Sequence, residues 1–145
     1  MEPLPHHYHI HASCEASENI TVESEGKPSL ITGPPKEFGG TGNEWSPEDL
    51  LVAAVADCYI LSFKAIAQAT RFDWVSISCD TAGKLDKLEQ SMQFTGFKIS
   101  VKLVISAETD RKKAERLLHK AESICLITNS LKAESELTTE ITVAR

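Results

Sequence analysis

Apolar side chains crowd residues 50–67 with few polar interruptions, while the segments on either side alternate apolar and polar positions. Crowding over such a length predicts a helix, and alternation predicts strands. Residues 7–14 alternate loosely, and 18–24 clearly, with Ile20 and Val22 on one face. Glu25-Gly26-Lys27-Pro28 reads as a turn and 29–32 as a short third strand. A glycine-rich loop, Gly33 to Asn43, follows. The helix start is well marked: Ser46 is an N-cap, Pro47 suits the first helical position, and Asp49 completes a capping box. The run to about Ala69 predicts a helix of roughly 35 Å. Its expected inward stripe is Leu51, Ala54, Val55, Cys58, Leu61, Ser62 and Ala65, with Leu50, Ala53, Ile60, Phe63 and Ala67 widening the apolar surface. A helix apolar nearly all round needs cover on most sides. In so short a chain, that suggests a second subunit.

Trp74 to Leu88 and Phe94 to Ser106 predict two long strands, with Gly83 and Gly96 as candidate bulges or bends. Thr109 is the expected cap of a second helix whose stripe is Ala114, Leu117, Leu118, Ala121, Ile124 and Cys125. A further turn is expected over 129–132 and a last strand over 137–144. Strands, long helix, two strands, helix, strand is the order of an α+β domain with a mostly antiparallel sheet over its helices. The 145 residues suit one domain, 1–145, with its own core.

Charge narrows the function. A net charge of −6, with Lys and Arg scattered, argues against nucleic acid as a partner, because phosphate binding needs a basic face. No apolar run is read as reaching a spanning length, and the N-terminus lacks a signal-peptide pattern, so no membrane is expected and the location expected is cytoplasmic. Four cysteines in that setting do not suggest a structural disulfide framework, and none stands in a Cys-x-x-Cys pair.

Cys58 and Cys125 are the candidates for chemistry. Buried free cysteines commonly act as small hydrophobes. Two on the inward stripes of different helices can also meet: a peroxidatic thiolate becomes a sulfenic acid, and a second thiol condenses with it to a disulfide. A position inside a helix does not activate a thiol, so another group must do so. Glu48 is explained by its place near a helix N-terminus. Ten residues separate it from Cys58, about 15 Å along a continuous helix, so a catalytic role for it implies a two-fold partner. His7, His9 and His11 share a strand face without a completing ligand set, so no metal is expected there. His119 lies off the stripe, and Cys14 and Cys79 fall in strand patterns as structural residues. Gly39-Gly40-Thr41-Gly42 matches no nucleotide-binding motif. Phe38 and Trp45, on the loop before the helix, are candidates to wall a pocket for an apolar ligand.

Gly39-Gly40-Thr41-Gly42-Asn43-Glu44-Trp45-Ser46-Pro47-Glu48-Asp49-Leu50-Leu51, with Ala53, Ala54 and Cys58 beyond, resembles the first cysteine motif of the OsmC/Ohr family (osmotically inducible protein C and organic hydroperoxide resistance proteins). Cys125-Leu126-Ile127-Thr128-Asn129-Ser130-Leu131 is similar to its second motif. The resemblance spans nearly the whole chain. It implies an OsmC-like fold with a long central helix and a second helix, in an intertwined homodimer with active sites at the subunit interface. It implies reduction of organic hydroperoxides, with Cys58 peroxidatic, Cys125 resolving and Glu48 orienting an arginine beside the thiolate. It further implies recharging by a small dithiol or a lipoylated protein, with no cofactor. Two departures stand out. Leu126 occupies the place of the family's proline, and no arginine precedes Arg71 although active members carry one in the N-terminal strands. Lys27 and Lys36 are the candidate replacements, Lys36 the better placed because it lies in the loop leading to the helix, although a lysine lacks the planar fork of a guanidinium. The alternative expectation is a non-catalytic protein that binds an apolar or electrophilic small molecule in the same interface pocket.

Overall fold

A computed structural model describes all residues from Met1 to Arg145. Its elements are β1 (His11–Ser13), β2 (Ile20–Glu23), β3 (Leu30–Thr32), α1 (Pro47–Ala69), β4 (Ser76–Leu88), β5 (Ser91–Ile105), α2 (Arg111–Ile124), α3 (Leu126–Asn129) and β6 (Glu134–Val143). The chain forms two compact units, Met1–Leu50 and Leu51–Arg145, and the division falls in the first turn of α1.

In the first unit β1, β2 and β3 make an antiparallel sheet in chain order. Gly26 turns the chain between β2 and β3 with a φ of 73°, a conformation that costs a glycine little. The loop that follows closes on itself. Thr32 bridges Trp45, and the Gly33 N–H donates to the Trp45 carbonyl at 3.0 Å. Within it, a Cβ on Gly40 would lie 1.8 Å from the Pro34 carbonyl oxygen, so only glycine fits. Ser46 then starts α1 as its sequence predicts. The Asp49 N–H donates to Ser46 Oγ at 3.0 Å, and the Ser46 N–H donates back to Asp49 Oδ2 at 3.1 Å. Both hydrogen bonds of a capping box are thus made, and Ser46 is buried.

The second unit is a sheet in the order β4-β5-β6, antiparallel between β4 and β5 and parallel between β5 and β6. Alternation holds on β5, where Phe97, Ile99, Val101, Leu103 and Ile105 are buried and Lys98, Ser100 and Lys102 face out. The inward row packs in one core with Val55, Tyr59, Phe63 and Ala67 of α1 and Ala114, Leu117, Leu118 and Ala121 of α2. The register between β4 and β5 slips at Lys84/Leu85, opposite Gly96 and Phe94, so the bulge lies beside the predicted Gly96. Gly83 serves close approach instead of bending. A Cβ there would meet Val52 of α1 at 2.8 Å and the Phe94 ring at 2.9 Å.

Four details differ from the sequence reading. The buried stripe of α1 is Val55, Tyr59, Phe63 and Ala67, while Leu61 and Ala65 are exposed. An i, i+4 row of large side chains on the sheet overrides the smaller residues that the averaged pattern weighted equally. A 3-10 turn, Glu108–Asp110, precedes α2, and Asp110 takes the cap position expected for Thr109. Ile124 is exposed because the chain breaks away there and Cys125 turns in. Finally, contrary to the sequence expectation, α1 has 23 residues with an 18-residue stretch of mean hydropathy 1.9, long and apolar enough to span a bilayer. In the structure its large side chains form the core against β5 and α2.

Gly83→Ala should lower stability by about 1–3 kcal/mol, because Val52 and Phe94 must both shift. The midpoint of urea unfolding measures the loss.

Candidate active site

Cys58 and Cys125 reach each other from different elements. Cys58 sits half-buried in the middle of α1. Cys125 is buried, 1% exposed, at the break between α2 and α3. Its backbone leaves the helical region (φ −61°, ψ 107°), which ends one helix and starts another. Its N–H donates to the Glu122 carbonyl at 3.3 Å, while its carbonyl accepts the Asn129 N–H at 3.0 Å and the Thr128 hydroxyl at 3.1 Å. The backbone on both sides of the thiol is therefore pinned. The residue next to Cys58 sets how closely α1 approaches α2: Tyr59 is fully buried, and its hydroxyl donates to the Leu118 carbonyl at 2.9 Å.

The surroundings of Cys58 favour the neutral thiol. Burial pushes its pKa up, and the contact with Cys125 adds to that, both through hydrogen bonding and through charge. The Ile127 backbone N–H and the Ser62 hydroxyl pull the other way. No cation contributes. Burial likewise raises Cys79, whose Sγ is 3.3 Å from Thr81 Oγ1, and Tyr59, where charge on Cys79, Glu122 and Cys125 adds to the effect.

Glu48, Lys36, Phe38 and Trp45 lie in the first unit. Glu48 is half-buried in the first turn of α1, and its Oε2 is buried without a hydrogen-bond partner. A buried carboxylate oxygen normally has a donor, so this one calls for an explanation. The helix is unbroken from Pro47 to Ala69, so the roughly 15 Å rise between Glu48 and Cys58 stands. Lys36 is in no ion pair, and its aliphatic stem lies where a side chain on Gly42 would be. Trp45 lines an open depression of about 270 Å³ with Asn43, Glu44 and Asp49, without Phe38. Phe38 and Trp45 are both about half exposed. Cys14 is exposed just past β1, and His119 is exposed on α2.

The chain as a whole has counterparts among known proteins. The family described as OsmC-like protein matches residues 40–140, a stretch that contains both cysteines and Glu48. The chain belongs to the OsmC/Ohr family. Among curated OsmC/Ohr relatives, an organic hydroperoxide resistance protein of Xanthomonas axonopodis pv. citri (strain 306) is 27% identical over 90% of this chain and 92% of its own. The uncharacterized protein YmaD of Bacillus subtilis (strain 168) is 26% identical over 95% of both chains. Among solved structures, the OsmC-like protein of unknown function from Vibrio cholerae O1 biovar eltor str. N16961 superimposes with a TM-score of 0.83 at 22% identity, covering 94% of this chain and 99% of that one. The α+β architecture with a long helix and a second helix is therefore the OsmC-like fold.

Sequence reasoning missed Tyr59, Ser62 and Ile127 as neighbours that shape the thiol. Ser62 was legible as an inward position one turn after Cys58, but its hydroxyl had no assigned partner. It donates to the Cys58 carbonyl at 2.8 Å.

Cys58, Cys79 and Tyr59 all have raised pKa values in the folded chain, so the fold binds their protons more tightly than the unfolded chain does. Their contribution to stability is complete below the ordinary thiol pKa of about 8.5 and is lost as pH rises through the folded values. Urea midpoints measured from pH 7 to pH 10 should fall across the alkaline half of that range. A flat profile would contradict these surroundings.

Proposed function

We propose that this protein is a thiol peroxidase for organic hydroperoxides, working as one functional domain over residues 1–145. The observation that carries the reading is the contact of Cys58 with Cys125, brought from α1 and from the α2–α3 break. The Cys58 thiolate attacks the distal peroxide oxygen. An S–O bond forms, the O–O bond breaks, and the alkoxide leaves and takes a proton to become the alcohol. Cys125 then attacks the sulfur of the sulfenic acid. The disulfide forms and the hydroxyl departs with a proton as water. A small dithiol or a lipoylated protein reduces the disulfide by thiol exchange, and no metal or cofactor takes part. The proposed setting is the cytoplasm, where free thiols persist.

Two observations support a homodimer. Leu61, Ile124 and Leu126 are exposed at 55%, 40% and 65% in the single chain. Glu48 also keeps a buried oxygen without a donor. In the proposed assembly a second copy covers the apolar surface and supplies the missing donor, with Lys36 as the candidate cation and Phe38 and Trp45 beside the substrate. The raised pKa of Cys58 favours a second reading, in which the same pocket binds an apolar or electrophilic small molecule without turnover.

One equivalent of cumene hydroperoxide should convert the reduced protein to a Cys58–Cys125 disulfide, faster than hydrogen peroxide does, as mapped by mass spectrometry. Cys58→Ser should abolish peroxide consumption, and Cys125→Ser should leave a trappable sulfenic acid. Full consumption by Cys58→Ser would end the peroxidase reading. Sedimentation should report a dimer, and a strictly monomeric protein would remove the role given to Glu48.

A further inference from the structure

No cation contributes around Cys58 within the second unit, yet the proposed chemistry begins with a negative sulfur. We propose that the Ser62 hydroxyl is a catalytic donor that turns onto Cys58 Sγ as the thiol ionises. The inference rests on the reading of Cys58 as the attacking group.

Ser62 lies four residues beyond Cys58 on the same helix and is half-buried on the same face. Its hydroxyl bonds the Cys58 carbonyl at 2.8 Å and also lies within reach of the thiol. Side chains in a helix lean toward its N-terminus, which directs Ser62 Oγ back over Cys58. Turning about one bond re-aims the hydroxyl hydrogen from the Cys58 carbonyl oxygen to the sulfur, and the proton stays on Ser62. The carbonyl is not left bare by this turn, because as part of α1 it is the normal acceptor for the Ser62 backbone N–H. The hydroxyl thus has a resting partner that it can leave cheaply, and the sulfur gains a charge-assisted hydrogen bond only when it becomes anionic. Such an interaction is stronger in the reacting state than at rest, which is the condition for it to accelerate the step. The Ile127 N–H belongs to the backbone, so Ser62 is the donor that mutation can remove.

The test follows alkylation of Cys58 by iodoacetamide across pH, read peptide by peptide by mass spectrometry. This readout does not require peroxidase turnover. Ser62→Ala should shift the midpoint of the Cys58 profile to higher pH and slow its alkylation at neutral pH by about three- to tenfold, the smaller figure applying if rising nucleophilicity offsets part of the lost thiolate. Ser62→Thr should restore the profile, since a threonine hydroxyl in a helix occupies the same region. Cys14, exposed in the same molecule, is the internal standard and should not change. A Ser62→Ala profile that superimposes on the parent would overturn the proposal. A slower rate with an unmoved midpoint would also overturn it, because that reports access and not ionisation. If the parent shows the expected profile and Ser62 effect but consumes no hydroperoxide, the peroxidase reading fails while this assignment of Ser62 stands.

Discussion

The packing of α1 against α2 governs the rest of this protein. One buried hydrogen bond, from Tyr59 to the Leu118 carbonyl, ties the two helices together one residue away from Cys58. Around it Val55, Phe63, Ala114, Leu118 and Ala121 exclude water. Leaving either polar group unpaired at that depth would cost about 1–3 kcal/mol, so the helices are held at the spacing that satisfies both. That spacing brings Cys125 to Cys58. The close seat of α1 on the sheet depends in turn on Gly83, whose missing side chain admits Val52 and the Phe94 ring.

The proposed function follows from this constraint through chemistry that is mostly electrostatic. A buried thiol beside another thiol resists ionisation, and no cation offsets the resistance in the second unit. Neutral donors, Ile127 N–H and Ser62 Oγ, are what the fold supplies. A thiol set this way ionises less readily than one paired with a guanidinium. In the proposed cycle resolution is easier than attack, because Cys125 is already in contact with Cys58 and its backbone is pinned on both sides. Ordering the pair in advance lowers the entropy cost of the disulfide step.

Much of this was legible in the chain. Ser46, Pro47 and Asp49 announce the start of α1 because capping is local chemistry between residues three apart. The alternation of Phe97 to Ile105 announces β5 because a strand has a period of two. The cysteine motifs identify the family for a similar reason: the residues that carry its chemistry lie in two short stretches. The sequence by itself therefore determined the main element types, the α+β class and the family, and it singled out the two thiols that meet in the fold.

Only the tertiary structure decided the rest. The inward face of α1 was misread by pattern, because Ala, Leu and Val are apolar at almost every position and the choice falls to the large side chains that fit the sheet, Tyr59 and Phe63. Nothing local to Tyr59 names Leu118 as its partner, since the two lie far apart in the chain and meet only through packing. The neighbours of Cys58 follow the same rule: Ser62 is near in sequence, but the Ile127 N–H and the Cys125 thiol arrive from another part of the chain. Hydrogen bonds within one turn are written into neighbouring residues. Those between elements depend on the angle and depth of packing, which side-chain volume across the whole core sets.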